Sequence, residues 1–300
     1  MTAEQLADLH WLLSAPALLA DAALPEGVLQ GSASLGERWW QALPQAELAS
    51  LALPGTDGFR LGRYAESLLQ LALQQLPGHQ LLASQLPVRS EGLSLGEIDY
   101  LLRPPDGPLL HIELAVKFFI ALPTERGLVY VGPGLRDALE LKLARLFAHQ
   151  LQLAQWPAGR QALATDAPIQ PMAWLRGRLF YRELDEAAPA LLAADHLRGW
   201  WRCWGEALPQ QRADSLWRAL NKPDWLGLRA PDDQALPLAD WQAQAALHFQ
   251  HQHWPLQVAE YAPPAEGGAE LARGMLLPAG WPSPAMLSSL LARIAALPDQ

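Results

Sequence analysis

An α/β fold is predicted by three observations. Two long segments with helical periodicity, Leu61 to Leu76 and Leu135 to about Gln155, bracket a stretch from Gln80 to Val131 whose signals are those of strands and turns. The run Leu109 to Leu122 reads LLHIELAVKFFIAL and is apolar on both faces except at His111, Glu113 and Lys117, as in a strand covered on both sides. A tight turn, Arg103-Pro104-Pro105-Asp106-Gly107-Pro108, joins it to the preceding strand, Leu93 to Arg103.

The elements follow in order. The first fifty residues read as helices: a Leu/Ala-rich opening segment, then about Leu35 to Leu51 with Trp39 and Trp40 available for packing. Pro54-Gly55-Thr56-Asp57-Gly58 breaks the pattern. In the next helix Leu61, Tyr64, Ala65, Leu68, Leu69, Ala72 and Leu76 share one face, and Leu71 and Leu73 widen it until little polar surface remains. This helix should be buried, and Pro77-Gly78 ends it. Gln80 to Val88 is a first strand ahead of the two already named. Gly132-Pro133-Gly134 opens the second long helix, with Lys142 and His149 at the edge of its apolar stripe. Met172 to Tyr181 reads as a further strand, and a tryptophan-dense stretch from about His196 to Leu220 as helical. Beyond it come a helix from about Asp240 to His248, strands at Gln257 to Tyr261 and Gly274 to Leu277, and a last helix from about Pro284 to Leu297.

Composition narrows the function classes. No run of about eighteen apolar residues occurs, so no membrane-spanning helix is expected. Acidic residues precede the first apolar segment, against a secretory leader, and the expectation is a cytoplasmic protein. The single cysteine, Cys203, excludes an internal disulfide framework and a Cys-rich zinc site. A net charge of -9 opposes an extended nucleic-acid-binding surface. The surplus is uneven, however: ten acids face nine bases between Asp57 and Arg145, so carboxylates occupied by metal there would leave the rest of that segment net positive.

The chemistry-bearing residues lie in that segment. On a strand, residues two apart share a face, which aligns Glu97 with Asp99 and His111 with Glu113, Ala115 and Lys117. Pairing of the two strands lets Asp99 and Glu113 converge on one ion. Two carboxylates, with waters and phosphate oxygens, suit Mg²⁺. Glu66 is the only carboxylate between Asp57 and Glu91 and sits on an otherwise apolar helix, where an unpartnered charge costs several kcal/mol. It therefore needs a cation or a hydrogen-bonding partner, and an outer place in the same metal site meets that need.

The order helix with Glu, strand, strand with Asp, strand with Glu and Lys, then helix resembles the PD-(D/E)xK nuclease superfamily across about residues 57 to 182. The wording GRYAE, GEIDYLL, HIELAVKFF, VGPG with a Lys- and Gln-bearing helix, and LRGRLFY more narrowly resembles a bacterial family within it, domain of unknown function family 1853. The resemblance implies a restriction-endonuclease-like core, a mixed β-sheet flanked by helices, at 57–182. An N-terminal helical extension occupies 1–56 and a C-terminal α+β extension 183–300. It further implies a metal-dependent nuclease acting on nucleic acid, with DNA as the expected partner and Mg²⁺ or Mn²⁺ as cofactor. Asp99 and Glu113 match the metal ligands, Glu66 the helix glutamate, and Lys117 stands for the catalytic lysine. The usual lysine position, two after the acid, holds Ala115. At about 3.3 Å per residue, Lys117 lies roughly 13 Å along the strand from Glu113 instead of about 7 Å. A bulge in the strand would let Lys117 reach back; otherwise Lys142, and after it His149, on the following helix would supply the positive group.

Each residue also has a plainer reading. Asp99 alone is equally a solvated surface acid. Glu113 has a buried ion pair with Lys117 as its structural alternative, and Glu66 a salt bridge to Arg63 or Arg89. His248, His251 and His253 lack cysteines or a clean i, i+4 pair and read as surface histidines. The tryptophans at 200, 201, 204, 217 and 225 read as packing residues ahead of base-stacking ones. Arg63, Arg89, Arg103 and Arg126 read as ordinary surface charges. Two further function classes stay open: a non-hydrolytic nucleic-acid-binding or protein-interaction module, and a phosphoryl-transfer enzyme on mononucleotides.

Overall fold

The computed structural model describes residues 1–53, 60–125 and 127–298. The Pro54 to Gly58 break and Arg126 lie outside the described residues. The chain opens with helix α1 (Ala3–Ser14), a two-residue strand β1 (Leu29–Gln30), and helices α2 (Ala33–Ala42), α3 (Gln45–Ser50) and α4 (Leu61–Gln75). Strands β2 (Gln80–Ser90), β3 (Leu93–Arg103), β4 (Leu109–Thr124) and β5 (Gly127–Val131) precede α5 (Leu139–Ala148), α6 (Pro157–Leu163) and β6 (Ile169–Tyr181). Then come β7 (Arg198–Cys203), β8 (Leu216–Leu220), β9 (Leu236–Pro237), α7 (Leu238–His251), β10 (Leu256–Tyr261), β11 (Glu270–Leu277) and α8 (Pro284–Ala295). The fold is α/β, and its eleven strands among the described residues pair in both parallel and antiparallel sense. No helix among those residues is long and apolar enough to cross a membrane.

Two compact units form. The first comprises Met1–Lys117, Leu143–Gly177 and Ala188–His196, and the second Phe118–Lys142, Arg178–Ala187 and Leu197–Gln300. In the first unit Thr2 and Gln5 form a reciprocal capping box that starts α1. Its far end is held by Arg176, fully buried, whose guanidinium donates to the Leu12 and Leu13 carbonyls at 3.1 and 2.8 Å. Those carbonyls lack helical partners, so the arginine answers the end of the helix. The long helix expected through Leu51 divides into α2 and α3 because Pro44 drives Leu43 out of helical geometry, to φ -68° and ψ 140°.

Helix α4 buries Tyr64, Ala65, Leu68, Leu69, Ala72 and Leu73, as its stripe predicts. Strands β2 and β3 form a hairpin in which Ser90 pairs with Leu93 across Glu91 and Gly92, both at positive φ (50° and 81°). Within this unit the strands run in the order β2-β3-β4-β6, with β1 parallel to β6. Gly177 on β6 has no room for a side chain: a Cβ there would meet the Lys117 carbonyl oxygen at 1.7 Å.

The second predicted long helix starts later and stops earlier than its stripe. Residues 132 to 138 form a tight turn closed by Gly132 N–H to the Asp137 carbonyl, with Leu135 at φ 54°. At the other end His149 leaves helical geometry and a 3-10 turn, Gln150–Gln152, follows.

In the second unit, β6 pairs in parallel with β7 and β7 with β11, while β10 is antiparallel to both β11 and β8. The stretch expected to be helical from His196 to Leu220 is instead β7 and β8. The period-2 signal is hidden because the middle of β7 is buried on both faces: Gly199, Trp200 and Trp201 are consecutive and all buried. Gly199 faces the Phe180 ring at a distance that excludes any Cβ. Trp200 and Trp217 pack with Trp241, Val258 and Leu276, so the tryptophans at 200 and 217 are core residues. The helix expected at 240–248 is α7, and the strands expected near 257 and 274 are β10 and β11.

Candidate metal and phosphodiester site

The site residues all belong to the first unit, where three strands set them in one row. The β2–β3 ladder pairs Ser84 with Tyr100 and Leu86 with Ile98, which leaves Gln85 facing the Asp99 position. The β3–β4 ladder pairs Tyr100 with Ile112 and Leu101 with His111, and Asp99 and Glu113 come next in that register. Gln85, Asp99 and Glu113 therefore lie side by side across β2, β3 and β4.

Beyond the Tyr100–Ile112 pair, side chains take the place of the backbone ladder. The Asp99 N–H donates to Glu113 Oε1 at 3.3 Å, and the Leu114 N–H donates to Asp99 Oδ2 at 2.9 Å. Each carboxylate thus caps a backbone donor associated with the opposite strand, which fixes both acid groups. The remaining Glu113 contacts come from His111 Nε2, 2.8 Å from Oε1, and Gln150 Nε2, which donates to Oε2 at 2.8 Å. Glu113 and His111 are both 0% exposed. With the carboxylate as acceptor, the imidazole carries its proton on Nε2, and its Nδ1 is buried without a hydrogen-bond partner.

Glu66 reaches this row through an intermediary. Gln85 Nε2 donates to Glu66 Oε2 at 3.1 Å, and the Tyr100 hydroxyl donates to the Glu66 carbonyl at 2.6 Å, pinning α4 to β3. Gln85 takes a left-handed φ of 49°, uncommon for a side chain of its kind. Burial holds the Glu66 carboxyl above its ordinary range, the Gln85 bond opposes this, and repulsion from Glu97 and Glu113 adds to it. The Tyr100 hydroxyl is likewise pushed up, by burial first and then by Asp99, Glu66, Glu113 and Glu97. Four carboxylates therefore lie near enough to act on Tyr100, and two of them, Glu97 and Glu113, act on Glu66 as well.

A raised carboxyl reverses the usual linkage. The folded chain holds the Glu66 proton more tightly than the unfolded chain, so stability falls as pH rises through the range between the two pKa values. Glu66→Gln should remove that loss while keeping an acceptor for Gln85. Thermal unfolding without metal between pH 4 and 7 should show the variant gaining on the wild type as pH rises. A gap independent of pH would refute the assignment.

Of the residues the sequence singles out, Asp99 and Glu113 come together directly, and Glu66 joins them through Gln85. Among the described residues no group of three or more His, Cys, Asp or Glu side chains is placed to hold a metal ion. A direct site would consist of the Asp99 and Glu113 pair, within the one or two carboxylates that Mg²⁺ takes, with Glu66 an outer group. Glu113 has His111 as its buried partner in place of the ion pair with Lys117 that its strand position suggests. Lys117 is half-buried four residues further along β4, which is one continuous strand over Leu109–Thr124. His149 packs edge-on against Trp156 at 5.0 Å and approaches Gly96 of β3. Lys142 belongs to the second unit.

Two contributors are not evident from their chemistry alone. His111 has a legible signal, its place two residues before Glu113 on the same strand face. Gln150 and Gln85 have none, because each is brought to the row by a break in regular structure, at His149 and at the left-handed Gln85. The family model described as Domain of unknown function (DUF1853) matches residues 7–277. No curated protein and no solved structure matches the chain.

Proposed function

The chain belongs to the family described as a domain of unknown function (DUF1853), and from the row of side chains on β2, β3 and β4 we propose that it hydrolyses nucleic-acid phosphodiester bonds, most naturally in DNA, with Mg²⁺ or Mn²⁺. The observation that carries this reading is the reciprocal capping of Asp99 and Glu113, which holds two carboxylates side by side where the ladder between their strands ends. Repulsion from Glu97 and Glu113, which adds to the burial that holds the Glu66 carboxyl high, supports the same reading because a divalent cation relieves it. On this proposal residues 57–182 are a version of the restriction-endonuclease-like core, with α4 ahead of its strands and α5 behind them.

Asp99 and Glu113 would hold the ion and Glu66 would act on it through water. A bound divalent ion supplies acidification of water and neutralisation of charge on the phosphate. The protein supplies position. His111 and Gln150 fix both oxygens of Glu113, and Gln85 fixes Glu66. Lys117 shares the Glu113 face of β4 by strand alternation and is assigned to orient the attacking water.

A second reading has its own observation. Ala115 occupies the usual lysine position and both Glu113 oxygens are hydrogen bonded in full burial, as in a non-hydrolytic nucleic-acid-binding or protein-interaction module. Calorimetric titration of the intact chain with Mg²⁺ and with Mn²⁺ separates the two. The nuclease reading expects saturable binding that Asp99→Asn removes. Absence of metal-dependent heat in the wild type selects the non-hydrolytic module.

A further inference from the structure

The second unit carries a groove that the carboxylate row does not use. Two adjoining depressions of about 670 and 660 Å³ share Pro133, Gly134, Lys222, Trp254 and Pro255. Four connections build the groove: those after β5, after β8, between α7 and β10, and after β11.

Its lining combines three indoles, Trp225, Trp254 and Trp281, with Arg136, Lys222 and His253, and includes no Asp or Glu. In a chain of net charge -9 that is a selective exclusion of acid. Asp224, beside the groove in sequence, is already paired with Arg218 and Arg229 at 3.0 Å each. Arg136 and Lys222 are exposed, and Trp254 is 59% exposed.

Two of the aromatic walls are held in place by their own indole N–H groups, and the third by its backbone and a neighbouring ring. Trp281 Nε1 donates to the Pro133 carbonyl at 3.0 Å and Trp225 Nε1 to the Leu220 carbonyl at 3.1 Å. The backbone carbonyl of Trp254 is bonded by His248 Nε2 at 3.0 Å, and the two rings meet edge to face. These indoles offer ring surface at little entropic cost on binding.

We propose that this groove binds single-stranded nucleic acid, with bases stacked on the tryptophan rings and phosphates on Arg136 and Lys222. Stacking on aromatic faces beside cations is the sequence-tolerant way to hold an unpaired strand, because every base has a π-face and a duplex hides it. Nucleic acid as the polyanion rests on the nuclease reading of the first unit; the charge and ring content of the groove do not.

The test is fluorescence anisotropy of a labelled single-stranded DNA oligonucleotide, in chelator, with the intact chain. Trp254→Ala should weaken binding about fivefold or more. The double variant Arg136→Glu/Lys222→Glu should abolish it, and two phosphate contacts predict a log-log salt slope of about -1.4 in the wild type. These side chains are exposed, so unchanged thermal unfolding should accompany both losses. Metal-dependent cleavage by the wild type is read in a separate assay, so failure of the nuclease reading has its own signature: groove-dependent binding in chelator with no cleavage when metal is added. The proposal is overturned by absent wild-type binding, by binding that survives both groove variants, or by preference for a duplex of equal length. It is equally overturned if the groove takes a proline-rich peptide and ignores the oligonucleotide.

Discussion

Glu113→Gln is expected to lower metal-dependent cleavage of DNA by about 100-fold or more while the fold stays intact. The separation of these effects follows from the hydrogen bonds. A glutamine at 113 keeps one carbonyl oxygen for the Asp99 N–H and His111 Nε2, and its amide then faces Gln150. Gln150 carries both a donor and an acceptor on its own amide and can answer by turning over. What is lost is the negative charge, which a divalent ion needs. Cleavage is measured on single- and double-stranded substrates across a Mg²⁺ and Mn²⁺ series, with thermal unfolding alongside. Cleavage undiminished in this variant sinks the assignment of Glu113.

His111→Ala carries the second large effect, in stability. It strips one donor from a carboxylate that is fully buried and leaves a cavity beside it. Removing one partner of a buried pair costs about 3 kcal/mol or more, chiefly because the surviving charge is left short of hydrogen bonds. Replacing both members, His111→Leu with Glu113→Leu, should recover most of that loss, since the strand is apolar on both faces around them. Denaturant titration of the wild type and the two variants reads both numbers. A single-variant cost below about 1 kcal/mol would show that the Glu113 carboxylate is satisfied without the imidazole.

The carboxylates of the site were legible to different depths. Glu113 stood out because a charged residue in a strand covered on both sides demands a partner, and period-2 alternation placed His111 on its face. Lys117 shares that face and has the more obvious charge, so an ion pair with it is the structural alternative that sequence spacing offers. Burial decided otherwise, for the imidazole is two residues away and fits within the covered part of β4. Glu66 was legible as a charge on an apolar helix, yet neither Arg63 nor Arg89 supplies its hydrogen bond. That comes from Gln85, a neutral side chain whose reach depends on a left-handed backbone. The tryptophan-rich stretch failed as a helix for a related reason. Burial on both faces erases the alternation that marks a strand, and at Gly199 the Phe180 ring leaves no room for a side chain that could have carried it.

By itself the sequence determined what depends on neighbours a few residues apart: the helix at α4, the bounds of β3, the turn after it and the acids on consecutive strands. Periodicity and turn chemistry are local, and they survive in the string of letters. Only the tertiary structure decided which groups meet. The row Gln85, Asp99 and Glu113 is a matter of register across three strands, the hold of Gln150 follows from the end of α5, and the tryptophan groove is assembled from four connections. Such contacts join residues distant in sequence, and their geometry comes from packing that no local pattern encodes.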